Sequence, residues 1–380
     1  MKKRNLLIFV LVIMVSLFFM GCKSGNNPSG PKTVTDMVGR SVEVTPGSYK
    51  SVVCIGAGAL RLYSYIGDVK LLAGVEDIEN SSLEQRPKMF DSVARPYFIA
   101  FQDEFKTKAS CGVGGPQSQT IETEKILNCN PDIIISEYED VEKANKLQSD
   151  LNVPVIVLSY GANGVFDNRA HTSLLLLGEV FGKSEKAQTL VDFINGEKAE
   201  IERRTKDVDV ASQKKVYICG LGNWGTTNHL MTAQNYAPFN IAHINNVVTG
   251  LAKDGIQGIE AEKFEDLAPN IDVLIMDAAA VKNIKTLYKE NPHMFDNCKA
   301  WQDGEVYLTL AYNAYYTNLE IALCNTWFNA MVVYPELFSD IDINAKLNEI
   351  TKAFLGKELA SEINAYSFRY GKVDKTTIFA

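Results

Sequence analysis

The sequence predicts an α/β protein made of two similar lobes that a single long helix joins. Short apolar segments alternate with helical stretches from Ser51 to Leu158, and a second alternation begins after Lys214. Between these two sets, one helical pattern extends from Ser184 to Lys206. A chain of 380 residues also exceeds what one compact core usually organises, which favours two lobes.

The first lobe is predicted to contain a parallel sheet. Four short apolar segments are bounded by Gly, Pro or Asp, as buried parallel strands are: Ser51–Ile55, Leu71–Val75, Asp132–Ser136 and Pro154–Leu158. Between the last two, Glu139–Leu151 carries apolar residues three or four positions apart, which predicts a crossover helix with one apolar face. Strand, helix and strand therefore form a βαβ unit.

A long connecting helix is predicted after the first lobe. Ser173–Phe181 is apolar and helical, Gly182 interrupts it, and Ser184 restarts the helix as an N-cap residue. At about 1.5 Å per residue, the segment Ser184–Lys206 spans roughly 33 Å, the width of a small domain. Such a helix is a stiff strut, so we expect the lobes to move by small rotations rather than by wide hinge closure.

The second lobe is predicted to have the same kind of architecture. Its strands are expected at Lys215–Cys219, Asp272–Met276 and Val306–Leu310. Asn318–Val333 is rich in large apolar residues and predicts a buried helix that Pro335 ends. Ile343–Leu355 predicts a further helix, which Gly356 ends without strain.

The N-terminus has the pattern of an exported lipoprotein. Basic residues 2–4 precede the apolar run Leu6–Met20, whose 15 residues fall short of the about 20 that span a bilayer. Gly21 and Cys22 then resemble a bacterial lipobox, in which the cysteine is lipidated, although Phe19 stands where Leu is usual. The predicted organisation is a signal peptide (1–21), a flexible tether (22–33), an N-terminal α/β lobe (34–166), a helical connection (167–208) and a C-terminal α/β lobe (209–380).

Composition excludes several classes of protein. The 46 acidic and 38 basic residues leave a net charge of −8, whereas a nucleic-acid binder held by charge needs a basic excess. A hydrophobic content of 46% rules out a disordered chain. Six cysteines follow Cys22 without a CxxC pair, so a zinc ribbon or thioredoxin motif has no support. Several lie in apolar runs and are predicted to be buried thiols, and oxidation of a pair stays open.

A weak internal repeat relates the two lobes. Glu124 is followed seven residues later by Pro131, then by Asp and an apolar strand. Glu262 is followed seven residues later by Pro269, then by Asn and an apolar strand. The order of elements is the same in both copies, which favours two related lobes over a chance similarity.

These features together resemble the class III periplasmic-binding proteins. The features are the lipoprotein signal, the tether, Ile55-Gly-Ala-Gly-Ala-Leu60 after the first strand, Val113-Gly-Gly115 and the two repeat segments. The resemblance covers about residues 34 to 356 and implies two Rossmann-like lobes, one long helix and a ligand cleft between the lobes. It also implies the substrate-binding subunit of an ABC importer for iron siderophores, haem or cobalamin, working as a monomer with a permease and its ATPase.

The resemblance implies a role for one acidic residue on each lobe. In the family, such residues meet arginines of the membrane permease, and the matching positions here are Glu124 and Glu262. The alternative is that both are ordinary first-turn acids, which stabilise the N-terminal end of a helix dipole by some tenths of a kcal/mol.

Motifs for catalysis or for bare metal ions find no support in the sequence. Gly220-Leu-Gly222-Asn-Trp-Gly225 matches the dinucleotide fingerprint after a strand, but no acidic residue follows about 20 positions later to bind a ribose. The four histidines are scattered, so no metal site is predicted, and no Gly-x-Ser-x-Gly elbow occurs. We therefore expect a protein that is neither an enzyme nor a cofactor carrier.

Aromatic and polar residues gather at or after predicted strand ends, where open α/β sheets bind ligands. Tyrosine and tryptophan offer flat contact area with a polar tip, and an arginine suits an anionic group on a chelate. The candidate ligand-binding residues are Arg95, Tyr97, Tyr138, Trp224, His229, Tyr236, Tyr312, Tyr315 and Tyr316.

The expected function is capture of a metal chelate, with a ferric siderophore as the first candidate, and its delivery to an ABC permease. Cobalamin, haem or a metal oxyanion such as molybdate are alternative cargoes. A surface oxidoreductase and an adhesion or sensor lipoprotein are rivals from other classes. The protein is expected on the outer face of the cytoplasmic membrane, held by a lipid at Cys22.

Overall fold

The computed structural model describes residues 30–115, 118, 120–222, 227–366 and 368–375. The described residues form two α/β lobes with a helical connection between them. Within these ranges, no helix is both long enough and apolar enough to cross a membrane.

The N-terminal lobe is built on a five-stranded, fully parallel sheet. Its elements are β1 (Lys32–Thr35), β2 (Ser41–Val44), β3 (Val52–Ile55), α1 (Ala59–Ile66), β4 (Leu72–Val75), α2 (Pro96–Phe105), β5 (Ala109–Ser110), α3 (Thr123–Asn128), β6 (Ile133–Ser136), α4 (Val141–Leu151) and β7 (Val155–Val157). The strand order is β5-β4-β3-β6-β7, and β1 pairs with β2 as a separate antiparallel hairpin.

The predicted βαβ unit of this lobe is confirmed. β6 and β7 are buried along their whole length, as expected for strands covered on both faces. Helix α4 begins two residues later than predicted, because the Asp140 side chain caps it by accepting the Lys143 N–H at 2.9 Å. Asn152 ends the helix in the left-handed conformation.

The connection consists of α5 (Asn168–Val180) and α6 (Ser184–Thr205), which pack against each other. Helix α6 has 22 residues and matches the predicted strut to within one residue. Helix α5 begins five residues before the predicted start at Ser173, because the Asp167 side chain accepts the Arg169 N–H at 2.8 Å and caps an earlier first turn. Gly182, with φ of 64°, makes the turn between the helices.

The C-terminal lobe carries a second five-stranded sheet. Its elements are β8 (Lys215–Cys219), β9 (Met231–Thr232), α7 (Ala237–Ile241), β10 (Asn245–Asn246), β11 (Gln257–Gly258), α8 (Ala261–Leu267), β12 (Val273–Asp277), α9 (Val281–Glu290), α10 (Lys299–Asp303), β13 (Val306–Thr309), α11 (Leu319–Val333), α12 (Ile343–Leu355), α13 (Ala360–Asn364) and β14 (Gly371–Lys372). The strand order is β10-β8-β12-β13-β14, in which only β14 is antiparallel to its neighbour.

One buried apolar cluster continues from the N-terminal lobe through α5 and α6 into α11 and α12. Helix α12 contacts α1 and α2 of the N-terminal lobe as well as α11 and α6. The rings of Tyr65 on α1 and Phe354 on α12 lie 5.0 Å apart at a steep angle. The segment after Ile343 therefore joins the two lobes instead of belonging to the second lobe alone. The six described cysteines are free thiols, and five of them are buried.

Candidate functional site

A cavity of about 360 Å³ lies between the lobes. The N-terminal lobe contributes Phe90 and a set of small or polar residues: Ala57, Gly161, Ala162, Asn163 and Gly164. The C-terminal lobe contributes four tyrosines: Tyr236, Tyr312, Tyr315 and Tyr316. Both sets lie beyond the carboxyl ends of parallel strands, which is where open α/β sheets bind ligands.

The segment 312–317, here called the tyrosine loop, follows β13 and precedes α11. Asn313 and Thr317 form an antiparallel bridge across its base, and the Thr317 hydroxyl donates to Asn313 Oδ1 at 2.9 Å. At its tip, Tyr315 and Tyr316 both have positive φ, at 54° and 72°. Two successive left-handed tyrosines are strained by about 1–3 kcal/mol each, so surrounding contacts must hold the loop in this shape.

Tyr315 links the tyrosine loop to the opposite lobe. Its hydroxyl donates to Glu76 Oε2 at 2.6 Å and accepts the Gly115 N–H at 3.0 Å. Its ring lies 5.8 Å from that of Phe90. The side chain is thereby fixed from the N-terminal lobe, with its edge on the cavity.

Tyr312 is held by its own lobe. Asp277, at the end of β12, accepts the Tyr312 N–H at 2.8 Å and the Ala279 N–H at 2.8 Å. The rings of Tyr312 and Tyr236 meet edge to face at 5.2 Å.

The Tyr236 hydroxyl is buried without a hydrogen-bond partner among the described residues. The amides of Asn325 and Asn329 act on its pKa, but they do not meet hydrogen-bond geometry with it. A buried hydroxyl without a partner calls for an explanation, and the place of Tyr236 in the cavity lining makes its hydroxyl a candidate donor to a ligand.

Tyr316 is the most exposed of the four, at 39%. Its ring packs on that of Tyr160, 4.4 Å away, and the Tyr160 hydroxyl donates to the Gly58 carbonyl at 2.9 Å. Gly58 directly precedes α1, so the tip of the tyrosine loop rests on the first helix of the other lobe through Tyr160.

The cavity carries no charged side chain among its described lining residues. Burial raises the pKa of Tyr316 to about 12 and raises the pKa of the other three tyrosines further above its usual range, so all four are neutral donors at pH 7. Behind the tyrosine loop, burial raises the pKa of Glu76 to about 7 and that of Asp277 to about 7.

The structure places Arg95 and Tyr97 away from the cavity, which corrects the expectation that they line it. Both are buried in the N-terminal lobe, where Arg95 Nη1 lies 2.6 Å from Glu79 Oε2 and the Tyr97 hydroxyl also donates to Glu79. A buried arginine needs a carboxylate partner, and Glu79 supplies one inside the lobe. The Arg95 guanidinium then packs over the Phe98 ring, at 4.3 Å.

Tyr138 and His229 also lie outside the cavity. Tyr138 borders a separate void of about 10 Å³ and donates to the Ser118 carbonyl at 3.3 Å. His229 sits between the rings of Phe264 and Phe295, 5.2 and 5.4 Å away, and burial lowers its pKa to about 4. Both residues follow a strand, as predicted, but their side chains pack on neighbouring aromatic and apolar groups instead of lining the cavity. Trp224 and Cys22 lie outside the described residues.

Sequence reasoning missed Glu76, Asp277 and Tyr160, which support the tyrosines from behind. A signal for the two acids was present, because Glu76 directly follows β4 and Asp277 ends β12. Carboxylates at the ends of buried strands have few solvent contacts and therefore need local donors, which marks them as candidates for a site.

The glutamates of the internal repeat occupy equivalent places in the two lobes. Glu124 is in the first turn of α3 and Glu262 is in the first turn of α8, and both are exposed. Within the described part of the chain, no group of three or more His, Cys, Asp or Glu side chains could hold a metal ion.

Comparison with known proteins gives concordant matches over the whole fold. A family model described as periplasmic binding protein matches residues 52–312. The molybdate-binding protein MolA of Haemophilus influenzae is 20% identical over 376 residues, covering 93% of this chain and 97% of MolA.

Two solved structures share the fold. One is a periplasmic solute binding protein from Veillonella parvula, with a TM-score of 0.69, 17% identity, and coverage of 92% of this chain and 98% of that chain. The other is MolA of Haemophilus influenzae bound to molybdate, with a TM-score of 0.66, 17% identity, and coverage of 90% and 100%.

Proposed function

This chain belongs to the periplasmic binding protein family, and we propose that its cargo is a compact metal chelate, with a ferric siderophore as the first candidate. The protein is a substrate-binding protein of an ABC transporter and acts by binding rather than by catalysis. The proposal concerns what the cleft between the lobes holds.

The cavity supports this choice through its size and its lining. Its volume of about 360 Å³ equals that of roughly a dozen liquid water molecules, at about 30 Å³ each. A bare oxyanion of five atoms fills only a fraction of that space, whereas a chelate of 15 or more non-hydrogen atoms fills it, as a rough estimate. Haem, cobalamin and the larger hexadentate siderophores exceed this volume and would require the tyrosine loop to move, so the volume favours a compact chelate. Four neutral tyrosines favour a chelate without net charge, as in a ferric trihydroxamate, over a trianionic ferric tris-catecholate.

A metal oxyanion is the second candidate, supported by MolA, which matches nearly the whole chain and is named as a molybdate-binding protein. Neutral donors such as the Tyr236 hydroxyl suit an oxyanion as well as a chelate. Water would then occupy the remaining volume of the cavity.

Native mass spectrometry and titration calorimetry of the purified protein distinguish these cargoes. The panel comprises a ferric tris-catecholate, a ferric trihydroxamate, haem, cobalamin, molybdate and tungstate. We expect a mass shift with one ferric chelate and a dissociation constant below about 1 µM. Binding of molybdate or tungstate alone would transfer the assignment to the oxyanion, and binding of no panel member would contradict both candidates.

We also propose that Cys22 carries the lipid anchor and that the protein works as a monomer on the outer face of the cytoplasmic membrane. The basic, apolar and small-residue pattern of residues 2–22 supports the anchor. A Cys22→Ser variant should leave the membrane fraction, and its retention there would contradict the assignment.

Glu124 and Glu262 are proposed to dock the two lobes on the permease. Their support is their equivalent, exposed place at the start of one helix in each lobe. A charge reversal at both positions should reduce cargo uptake by about tenfold or more while leaving cargo affinity unchanged, because the sites are far from the tyrosine loop in the chain and absent from the cavity lining.

Glu142 provides the control for this reversal, because it is also an exposed acid in the first turn of a helix, α4. Glu142→Lys changes the net charge and the helix dipole interaction in the same way as either single reversal. Uptake that falls equally in Glu142→Lys and in the single reversals would contradict specific docking.

A further inference from the structure

Arg61 reaches from the N-terminal lobe into the tyrosine loop of the other lobe. It lies on α1 and is fully buried. Its Nη1 donates to the carbonyls of Tyr315 at 2.9 Å and Thr317 at 3.1 Å. Its Nη2 donates to the Ala314 carbonyl at 2.5 Å and to Asn318 Oδ1 at 2.8 Å. One guanidinium therefore binds four acceptors within five consecutive residues.

The acceptors of this cation are carbonyl and amide oxygens and, at 3.5 Å, the Tyr160 hydroxyl rather than a carboxylate. Among the described residues, Arg61 forms no ion pair within 4 Å, whereas the equally buried Arg95 pairs with Glu79. The guanidinium carbon also lies 4.6 Å from the centre of the Tyr97 ring, which contributes a cation–π contact. Moving a charge out of water costs free energy. The buried Arg61 guanidinium is therefore stable only while the tyrosine loop keeps its carbonyls in place.

The dependence also runs in the other direction. The carbonyl of Tyr315 belongs to one of the two left-handed residues at the tip of the tyrosine loop, and the Ala314 carbonyl precedes it. Donors fixed on a rigid helix can hold these carbonyls in a shape that the loop alone disfavours. One turn along α1, the Tyr65 hydroxyl donates to Glu320 in the first turn of α11 and secures the loop's far end.

We propose that Arg61 is a positioning residue for the cargo site: it crosses between the lobes, holds the tyrosine loop in its binding shape and fixes the width of the cleft. This inference rests on the proposed function of the cavity. Arg61 is absent from the described cavity lining, so it acts through Tyr315 and Tyr316 and not by touching the cargo. Pre-organised tyrosines bind a ligand without first being ordered, which strengthens binding chiefly by slowing dissociation.

The test compares Arg61→Lys with Arg95→Lys. Each change keeps the positive charge of a fully buried arginine and removes the planar fork, since an ammonium group cannot serve four acceptors at these positions. Arg95 hydrogen-bonds to Glu79 and Tyr97 within its own lobe, and none of its hydrogen bonds in the described part of the chain reaches the tyrosine loop, so its variant is the control for lost stability without a directly lost loop contact. Thermal unfolding should show comparable losses for the two variants.

Hydrogen exchange in the cargo-free protein provides the decisive measurement. In the wild type, the Ala314 N–H donates to the Tyr316 carbonyl and the Asn318 N–H donates to the Tyr312 carbonyl, each at 2.9 Å. Arg61→Lys should accelerate exchange at these two amides by about tenfold or more beyond the acceleration seen in Arg95→Lys. Equal rates in the two variants would overturn the proposal.

Cargo affinity then tests whether the shape of the tyrosine loop contributes to binding. With the ferric trihydroxamate, the ferric tris-catecholate or molybdate as the probe, whichever the wild type binds, Arg61→Lys should weaken affinity about tenfold, mainly through faster dissociation, while Arg95→Lys stays within about twofold. Faster exchange with unchanged affinity would overturn the positioning role. If none of these three probes binds the wild type, the cargo proposal fails, whereas the exchange result still decides whether Arg61 holds the loop.

A second variant covers the case in which Arg61→Lys does not fold. Asn318→Ala removes one of the four acceptors of Arg61 together with donations to the carbonyls of Ala94 and Ala311. We expect a smaller acceleration of exchange at Ala314, about threefold, because three acceptors remain. Unchanged exchange at Ala314 in this variant would contradict the proposal.

Discussion

The two walls of the cavity differ in the kind of residue that builds them. The wall from the N-terminal lobe is made largely of small residues, among them Ala57, Gly161, Ala162 and Gly164. The wall from the C-terminal lobe carries all four tyrosines of the cavity, beside smaller residues such as Ala233 and Gly255. One wall therefore provides space for a ligand, and the other provides the side chains that recognise it. Substitutions in the two walls should reduce ligand binding in different ways.

The small wall is shaped by its backbone. Gly161 and Gly164 have φ of 64° and 56°, a region that favours glycine. Asp167 holds the segment between them, since its Oδ2 accepts the N–H groups of Ala162 at 2.9 Å and Asn163 at 3.0 Å. A Cβ at Gly161 would lie 2.1 Å from the Asp167 carboxylate, so this position admits no side chain without breaking that support.

The largest loss of binding is expected from filling the small wall at Gly164. A Cβ there would lie 3.1 Å from Thr317 Cγ2 and 3.4 Å from the Tyr312 hydroxyl oxygen. Gly164→Val should therefore push against the tyrosine loop and occupy the cavity, with a loss of about 1–3 kcal/mol, or roughly 5- to 150-fold in affinity. Calorimetry with the identified cargo measures this change.

Gly250 supplies the matched control for the backbone. Its φ is 71° and no atom lies within 4 Å of the position its Cβ would take. Gly250→Val introduces similar left-handed strain without any contact at the cavity, so it should lower the unfolding temperature but leave affinity unchanged. An equal loss of affinity in both variants would show that strain, rather than filled volume, is responsible.

A smaller and more selective effect is expected at the tyrosine wall. Tyr236→Phe removes a buried hydroxyl that has no partner of good geometry in the free protein. The unfolding free energy should change by less than about 0.5 kcal/mol, whereas cargo affinity should fall by about 3- to 10-fold through the lost hydrogen bond. Denaturant unfolding and calorimetry provide the two measurements.

Tyr217→Phe should show the opposite pattern. Tyr217 is equally buried in the same lobe, and its hydroxyl donates to the His229 carbonyl at 2.9 Å. Its loss removes a hydrogen bond to the partly buried His229 carbonyl, so stability should fall by about 1 kcal/mol while affinity is unchanged. If Tyr236→Phe behaved like Tyr217→Phe, the Tyr236 hydroxyl would have a structural role instead of a binding one.

The elements could be predicted from the sequence, but the direction of the side chains could not. Local patterns were sufficient for β8 and α6, because a short continuous apolar run and helical periodicity are properties of neighbouring residues. Arg95 is predicted to line the cleft because it follows a predicted strand region, but its ion pair with Glu79 holds its side chain inside the lobe. No pattern within a few residues of Arg95 indicates that partner.

The tyrosine loop shows the same limit across a longer distance. Tyr315 bonds to Glu76, 239 residues away in the chain, and Arg61 bonds to the Tyr315 carbonyl, 254 residues away. These contacts exist only once both lobes are folded and apposed. The sequence could therefore place Tyr315 and Tyr316 after a strand, whereas their left-handed backbone and their shared support from α1 required the structure.

The smallest effect is expected in the pH dependence of the two acids behind the tyrosine loop. Burial raises the pKa of Glu76 from 4.5 to about 7, although the Tyr315 hydroxyl and the Gly56 N–H donate to it and oppose the rise. Asp277 behaves alike in the other lobe, rising from 3.8 to about 7. Between the unfolded and folded values, the folded protein holds a proton that the unfolded chain has lost. Each acid therefore contributes stability at low pH that is lost as pH rises toward about 7.

Glu76→Gln isolates this contribution, because an amide oxygen can still accept from Tyr315 and Gly56 without ionising. The difference in unfolding free energy, wild type minus variant, should fall from about pH 4.5 to about pH 7 and then level off. Asp277→Asn should give the same curve beginning near pH 4. A difference for Glu76→Gln that stays flat or rises over this range would mean that the carboxylate is ionised in the folded protein, and Tyr315 would then be held by a charge rather than by a neutral acid.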